Sequence, residues 1–243
     1  GRCTSTRAAG RWCQNRLGYG NLCELLSQAF RGNQYRGRAE IRKEWLASSL
    51  GDGLIALSGA HLGDIGQSLL NGNEEQARQQ AEEWSKCFPQ RFYLELQRPG
   101  TNPAEEYVQQ ALVLAGELDL PVVATHPIQF LDQDDFRAHE ARVCIAEGYV
   151  LGDQRRPKHF TEQQYFKSQA EMAELFADIP EALENSVEIA KRCNLIVELG
   201  KSKLPLFPIP AGMSESEYLI KRAEDGLALR MQELYPDEAK RAE

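Results

Sequence analysis

No hydrophobic run in these 243 residues approaches the roughly 20 that a bilayer-spanning helix needs, so a membrane-embedded role is not expected. The N-terminus also lacks the charged-then-apolar pattern of a secretion signal. Together these absences predict a soluble, cytoplasmic chain with no membrane partner. CxxC pairs are missing, and no histidine stands at zinc spacing from a cysteine. Cys3, Cys13, Cys23, Cys87, Cys144 and Cys193 therefore form neither a metal knuckle nor a dense disulfide framework, and reduced thiols are expected. Glycine-rich phosphate loops of either common spacing are absent, which argues against ATP hydrolysis and dinucleotide redox chemistry. Excess positive charge is absent as well. A net charge of −8 and a pI of about 5.2 exclude a surface devoted mainly to neutralising phosphates.

What the chain does contain is enough apolar material, 42%, to bury a core. Residues 1–12 are basic, small and aperiodic, and look foreign to the acidic, patterned remainder. From Tyr19 the spacing of Leu22, Leu25, Leu26, Ala29 and Phe30 predicts a helix closed by Gly32. Further helices are expected at Ile41–Leu50, Ile65–Leu70, Glu74–Cys87, Ala104–Leu118, Asp134–Gly148, Thr161–Phe176 and Pro180–Cys193. Short apolar runs at Gly53–Ser58 and Val122–Thr125 read as strands, as does Leu195–Leu199. Arg91–Gln97 alternates, which predicts one apolar and one polar face. Strand–helix–strand rhythm implies parallel pairing and an α/β fold. The proline-rich stretch Leu204–Met213 has linker composition, and Ser214-x-x-Glu217 caps a last helix.

In parallel α/β sheets reactive groups sit at the carboxyl ends of strands, here after Ser58, Gln97 and Thr125. Ser58, His61 and Asp64 could form a nucleophile and base or a ligand set, although Ser58-Gly59 reads more simply as a strand-to-helix turn. Glu95 could be an interior carboxylate open to a metal or a proton, or a hydrogen-bonded structural acid. His126 is a tempting lone ligand without supporting neighbours, and a turn histidine is the simpler reading. His139-Glu140 gives half of a HExxH motif, but Val143 stands where the second histidine belongs, and Arg142 is expected to pair with a helix-face carboxylate. The run Arg155-Arg156-Pro157-Lys158-His159, followed by Phe160, could touch single-stranded nucleic acid or be a solvated loop.

Several segments carry a collinear resemblance from about Gln14 to the C-terminus: QNRLGYGNLCELLSQAFRG, GLIALSGAHLGDIGQSLLNGN, FPQRFYLELQR, LPVVATHPIQFL, DDFRAHEARVCIAEG and ELFADIPEALENSVEIAKRCN. In these the chain resembles the C-family replicative polymerases of bacteria, the polymerase III alpha subunits. The match covers the later part of their polymerase-and-histidinol-phosphatase (PHP) domain, and LPLFP with the last helix resembles the entry to the palm. The division implied is an unmatched segment over 1–12, a partial PHP domain over 13–200, and a linker and helix leading toward the palm over 201–243.

The resemblance implies a partial, distorted β/α barrel of the seven-stranded PHP type, followed by a helical extension. Some PHP domains bind metals and hydrolyse phosphoesters, using ligands spread along the whole domain and including an N-terminal histidine pair that this chain lacks. Where metal-binding relatives carry an Asp and a His at a strand end, this sequence reads ATHPIQ and places Pro127 and Gln129. Where they carry a ligand after LSG, it has Ala60. A metal-depleted, non-catalytic PHP module is implied, one that braces the polymerase and docks the proofreading exonuclease subunit beside other replisome subunits. No complete catalytic site is expected in the chain itself, which reads as a fragment and, isolated, as a marginally stable one. Polymerisation, its Mg2+ and the main grip on DNA would belong to the palm and the rest of the parent. The alternative is a metal-dependent PHP phosphoesterase.

Overall fold

A computed structural model describes residues 11–202, 204 and 207–237. The basic segment before Arg11 with Cys3, part of the proline-rich stretch (Pro205 and Leu206) and the charged end from 238 lie outside the described residues. One compact unit ends at Ile196 and a second begins at Val197.

In chain order, β1 (Arg11–Cys13) leads into α1 (Arg16–Gly32), and β2 (Gln34–Tyr35) and β3 (Arg38–Ala39) make a hairpin. The single turn α2 (Lys43–Leu46) precedes β4 (Leu54–Leu57), α3 (Asp64–Leu70) and α4 (Glu74–Cys87). Then come β5 (Phe92–Leu96), α5 (Asn102–Leu118) and β6 (Val122–Ala124), followed by α6 (Phe136–Glu147), α7 (Gln169–Leu175) and α8 (Pro180–Arg192). The main sheet has the order β1-β4-β5-β6. β4, β5 and β6 run parallel, with Leu57 opposite Tyr93 and Leu94 opposite Val122. β1 pairs antiparallel with β4, Trp12 opposite Ile55, so Arg11 and Trp12 are part of the sheet, unlike the foreign segment expected for 1–12. The mixed α/β class with a parallel sheet is as expected; among the described residues β1 and β6 do not pair.

β5 alternates as expected, with Phe92, Leu94 and Leu96 on one face and Tyr93 and Glu95 on the other, and all five of its residues are buried. Phe92, Leu94 and Leu96 join Leu54 and Ala56 against α3, α4 and α5 through Leu69, Trp84, Tyr107 and Val108. Tyr93, on the other face, packs with Ile55, Leu57, Val123 and Ile189 of α8. A strand covered by helices on both faces buries both sets of side chains, whatever their alternation.

Three expectations are corrected. Ile41–Leu50 is not one helix, because the Ser48 hydroxyl donates to the Trp45 carbonyl (2.6 Å) and caps a fresh 3-10 turn, Ser49–Gly51. Thr161–Ser168 is not helical: Gln129 N–H donates to the Gln164 carbonyl (2.8 Å) and Phe130 bridges Tyr165, so a tertiary pairing takes the segment and α7 starts only at the Ser168 capping box. Leu195–Leu199 forms no strand, and Ile196 is 85% exposed. Near Gly18 the fit is tight, since a Cβ there would meet the Gly53 carbonyl oxygen at 1.9 Å; Gly53 itself has φ of 71°. This seats α1 against the entry to β4.

In the second unit α9 (Glu215–Leu234) is capped as the Ser214-x-x-Glu217 pattern predicts. Phe207 lies against Tyr218 with ring centroids 6.0 Å apart.

Candidate functional site

Parallel pairing of β4, β5 and β6 gathers their carboxyl ends, and one carboxylate, Glu95, sits among them, buried. Its Oε2 accepts from the Gly59 N–H (3.1 Å), just beyond β4. Its Oε1 accepts from the Thr125 hydroxyl (2.6 Å) at the end of β6, and from Gln97 Nε2 (3.1 Å), which also donates to Thr125 Oγ1 (3.0 Å). A single acid thus ties three strand ends together. The site residues are positioned by Gly59 and Ala60, both left-handed with φ of 81° and 50°, which turn the chain sharply off β4. An alanine in that conformation is uncommon, and Ala60 is buried.

Behind Glu95 lies a second network. Its backbone N–H donates to Ser58 Oγ (2.9 Å), and Tyr107 of α5 donates its hydroxyl proton to the Glu95 carbonyl (3.0 Å). The tyrosine's one proton is then committed, so the Ser58 hydroxyl donates to Tyr107 (3.3 Å). Full burial pushes the Tyr107 phenol well above its ordinary value, which keeps it a neutral donor. Sequence reasoning missed Tyr107. Its signal was a polar tip on the apolar face of α5, between Ala104 and Ala111, where a buried hydroxyl needs a partner.

Ser58, His61 and Asp64 are not brought into a relay. The Ser58 proton goes to Tyr107, and Asp64 accepts from the Trp84 indole (2.9 Å) and the Ile65 N–H (2.9 Å). His61 Nδ1 is buried without a hydrogen-bond partner among the described residues, and burial lowers its pKa. His126 Nε2 meets the Gln163 carbonyl (2.7 Å), Nδ1 is buried and unpartnered, and burial again lowers the pKa. Both imidazoles are thereby favoured in the neutral form.

Ala60, Pro127 and Gln129 offer poor donors. Ala60 has none. Pro127 offers only its carbonyl, which accepts from Gln164 Nε2 (3.1 Å), and Gln129 is exposed. Among the described residues, no group of three or more His, Cys, Asp and Glu side chains is placed to hold a metal ion. At the strand ends a divalent cation would meet the Glu95 carboxylate, already engaged by three donors, and the unpartnered Nδ1 atoms of His61 and His126.

The second charged group of interest is the loop after α6. Arg156 forms a buried bidentate pair with Glu140 of α6, and the guanidinium hydrogen bond holds that carboxyl below its ordinary value. The expectation for Arg142 is corrected: its Nη2 lies 3.4 Å from His139 Nδ1, and Glu140 pairs with Arg156 instead, because that arginine reaches it in a fork. His139 is buried between Phe130 and Phe160, with ring centroids at 5.3 and 4.7 Å, and burial lowers its pKa. Arg155 pairs with Asp153 (2.8 Å) at the surface, and Lys158 is exposed.

The PHP domain family matches residues 7–99, the stretch that holds β1 through β5. The DNA polymerase III alpha subunit of Neisseria meningitidis serogroup A is 55% identical over 231 residues, 94% of this chain and 20% of that protein. The chain is homologous to these alpha subunits. The DNA polymerase III alpha subunit of Pseudomonas fluorescens is 50% identical over 222 residues, covering 91% of the chain and 19% of the relative. That of Escherichia coli K12 is 47% identical over 227 residues, covering 93% and 19%. The chain therefore spans about a fifth of the length of the DNA polymerase III alpha subunits it matches. No helix among the described residues is long and apolar enough to cross a membrane.

Proposed function

We propose that this chain is a PHP portion, with the lead into the palm, of a DNA polymerase III alpha subunit, and that its strand-end site performs no metal chemistry. The reading makes residues 13–200 part of a distorted PHP-type barrel, with 201–243 leading to the palm. The observation that carries it is Glu95. Its charge is compensated by Gly59, Gln97 and Thr125, while Ala60, Pro127 and Gln129 stand at the expected ligand positions. A carboxylate held by neutral donors from three strand ends does the tying that bound cations would otherwise do. The module then serves as a brace for the polymerase and a dock for the proofreading exonuclease subunit, in the cytoplasm. Nucleotidyl transfer in the parent is assigned to palm carboxylates and Mg2+ outside this chain. Lys158 is exposed and Arg155 is held at the surface by Asp153, whereas Arg156 is held by Glu140, so Lys158 reaches nucleic acid most directly.

Metal analysis of the full-length parent, with phosphodiester hydrolysis and primer extension measured on the same preparation, tests this. Primer extension with Mg2+, no stoichiometric zinc or manganese, and no hydrolysis are expected. Tightly bound zinc or manganese with turnover would overturn the non-catalytic reading in favour of a phosphoesterase. The unpartnered Nδ1 atoms of His61 and His126 are the observation that supports that second reading.

A further inference from the structure

The chain carries a net charge of −8, yet between Phe30 and Lys43 the basic residues Arg31, Arg36, Arg38, Arg42 and Lys43 face Glu40 alone. Lys43 is neutralised by Glu83 (2.6 Å). Among the described residues no carboxylate lies within ion-pair distance of the four arginines, all of them exposed. Such a local excess in an acidic chain is costly through self-repulsion unless something negative meets it.

The segment is rigid. Arg36 and Gly37, with φ of 49° and 79°, form the tight turn that suits a two-residue hairpin, with Tyr35 opposite Arg38. Cross-strand partners share a face, so Tyr35 and Arg38 project together. The hairpin is fixed to the end of α1 by Asn33, whose N–H donates to the Ala29 carbonyl (3.0 Å) and whose Nδ2 donates to the Glu40 carbonyl (2.6 Å). Two large aromatics are left in the open beside this charge. Tyr35 is 62% exposed, with the Arg36 guanidinium 5.3 Å from its ring centre, and Phe30 is 57% exposed.

We propose that this hairpin is a contact for single-stranded nucleic acid, with Tyr35 stacking a base and Arg31, Arg36, Arg38 and Arg42 meeting phosphates. Open aromatic rings beside arginines select unstacked bases, which single strands offer and a duplex does not. An acidic protein would satisfy the charge but leave Tyr35 and Phe30 without a flat partner. The inference rests on the polymerase reading only for the source of the strand.

The test is fluorescence anisotropy of the 243-residue chain with a labelled oligothymidylate across 50–200 mM salt. Binding that weakens linearly in log salt is expected. Arg36→Ala with Arg38→Ala should lower the slope by about 1.4, since each single-strand phosphate contact contributes about 0.7. Tyr35→Ala should weaken binding about tenfold, and Tyr35→Phe should restore it. All three positions are exposed, and unchanged thermal melts confirm that the variants fold. Four results would overturn the proposal: no binding, variants that bind like the parent chain, equal competition by duplex or polyglutamate, or loss of binding through Arg155→Ala with Lys158→Ala alone. Primer extension by the full-length parent separates the two readings: extension without oligonucleotide binding by this chain sinks the hairpin and leaves the polymerase assignment standing.

Discussion

The donors that converge on Glu95 come from different segments, so deleting its carboxylate strands the Gly59 N–H, the Thr125 hydroxyl and the Gln97 amide at once. Each hydrogen bond to a charged group contributes about 1.5–3 kcal/mol, and part of that is recovered as Thr125 and Gln97 turn to each other. Glu95→Ala is therefore expected to lower unfolding free energy by about 3 kcal/mol, and Glu95→Gln by about 1 kcal/mol, in urea titrations. An alanine variant as stable as the parent chain would show that the strand ends are held by packing alone. Glu171 makes a prediction about pH. Hydrogen bonds from the Tyr165 hydroxyl and from the Ser168 hydroxyl and N–H hold its carboxyl down to about 2, against an ordinary value of 4.5. A folded value below the unfolded one gives stabilisation that is complete above pH 4.5 and lost as pH falls toward 2. Carbon-detected NMR should follow the Glu171 carboxyl through that window, and Glu171→Gln should remove this part of the acid sensitivity.

Among the elements, α8 alone supplies the helical cover recorded for the second face of the sheet, and polar anchors set its register. Asn185 Nδ2 donates to the Val122 carbonyl on β6 (2.8 Å), while Arg192 donates to the Tyr93 hydroxyl (2.6 Å) and the Gln90 carbonyl (3.1 Å). Asn185→Ala should cost about 1 kcal/mol and speed amide exchange in β6 while leaving β4 protected, which hydrogen-exchange mass spectrometry resolves. α8 was legible in sequence because Pro180 marks its first turn and its apolar residues recur at helical spacing. α4 was legible for the same periodic reason, and its bounds, Glu74–Cys87, are those its pattern predicts. The misread stretches share a different physics. Thr161–Ser168 and Ile41–Leu50 have helical composition, but a bridge to Phe130 in one and a serine competing for backbone carbonyls in the other decide the outcome. At the strand ends Glu95 could be singled out by residue type and place. Its donors could not: Gly59 uses a backbone N–H and Gln97 a neutral amide, groups whose role depends on register across β4, β5 and β6. The aligned relatives are 47–55% identical to this chain, whereas what the strand-end site does rests on this geometry.

At the scale of the whole molecule, the chain from Ile196 onward changes character. Among the described residues, Ile196, Leu199, Leu204 and Phe207 are exposed and lie in no helix or strand, and the compact units meet in sequence at Ile196 and Val197. Apolar side chains open to solvent outside regular structure give a protease a recognisable residue on accessible backbone. Exposed apolar residues of the sheet unit such as Tyr35 and Phe166 lie instead on backbone held by pairing, Tyr35 in the β2–β3 hairpin and Phe166 with its N–H on the Phe130 carbonyl (3.1 Å). Brief digestion with chymotrypsin should therefore cut first between Ile196 and Met213, after residues such as Leu199, Leu204 or Phe207. The larger product should melt within a few degrees of the uncut chain, because the contacts that bury β4, β5 and β6 come from α3, α4, α5 and α8, all on the N-terminal side of the cut. Mass spectrometry of the first fragments and a circular dichroism melt of the purified product check both parts. First cleavage inside the sheet unit, or a product that no longer melts cooperatively, would mean that the residues beyond Val197 contribute to the stability of the sheet, and that the boundary at Ile196 is not one of folding.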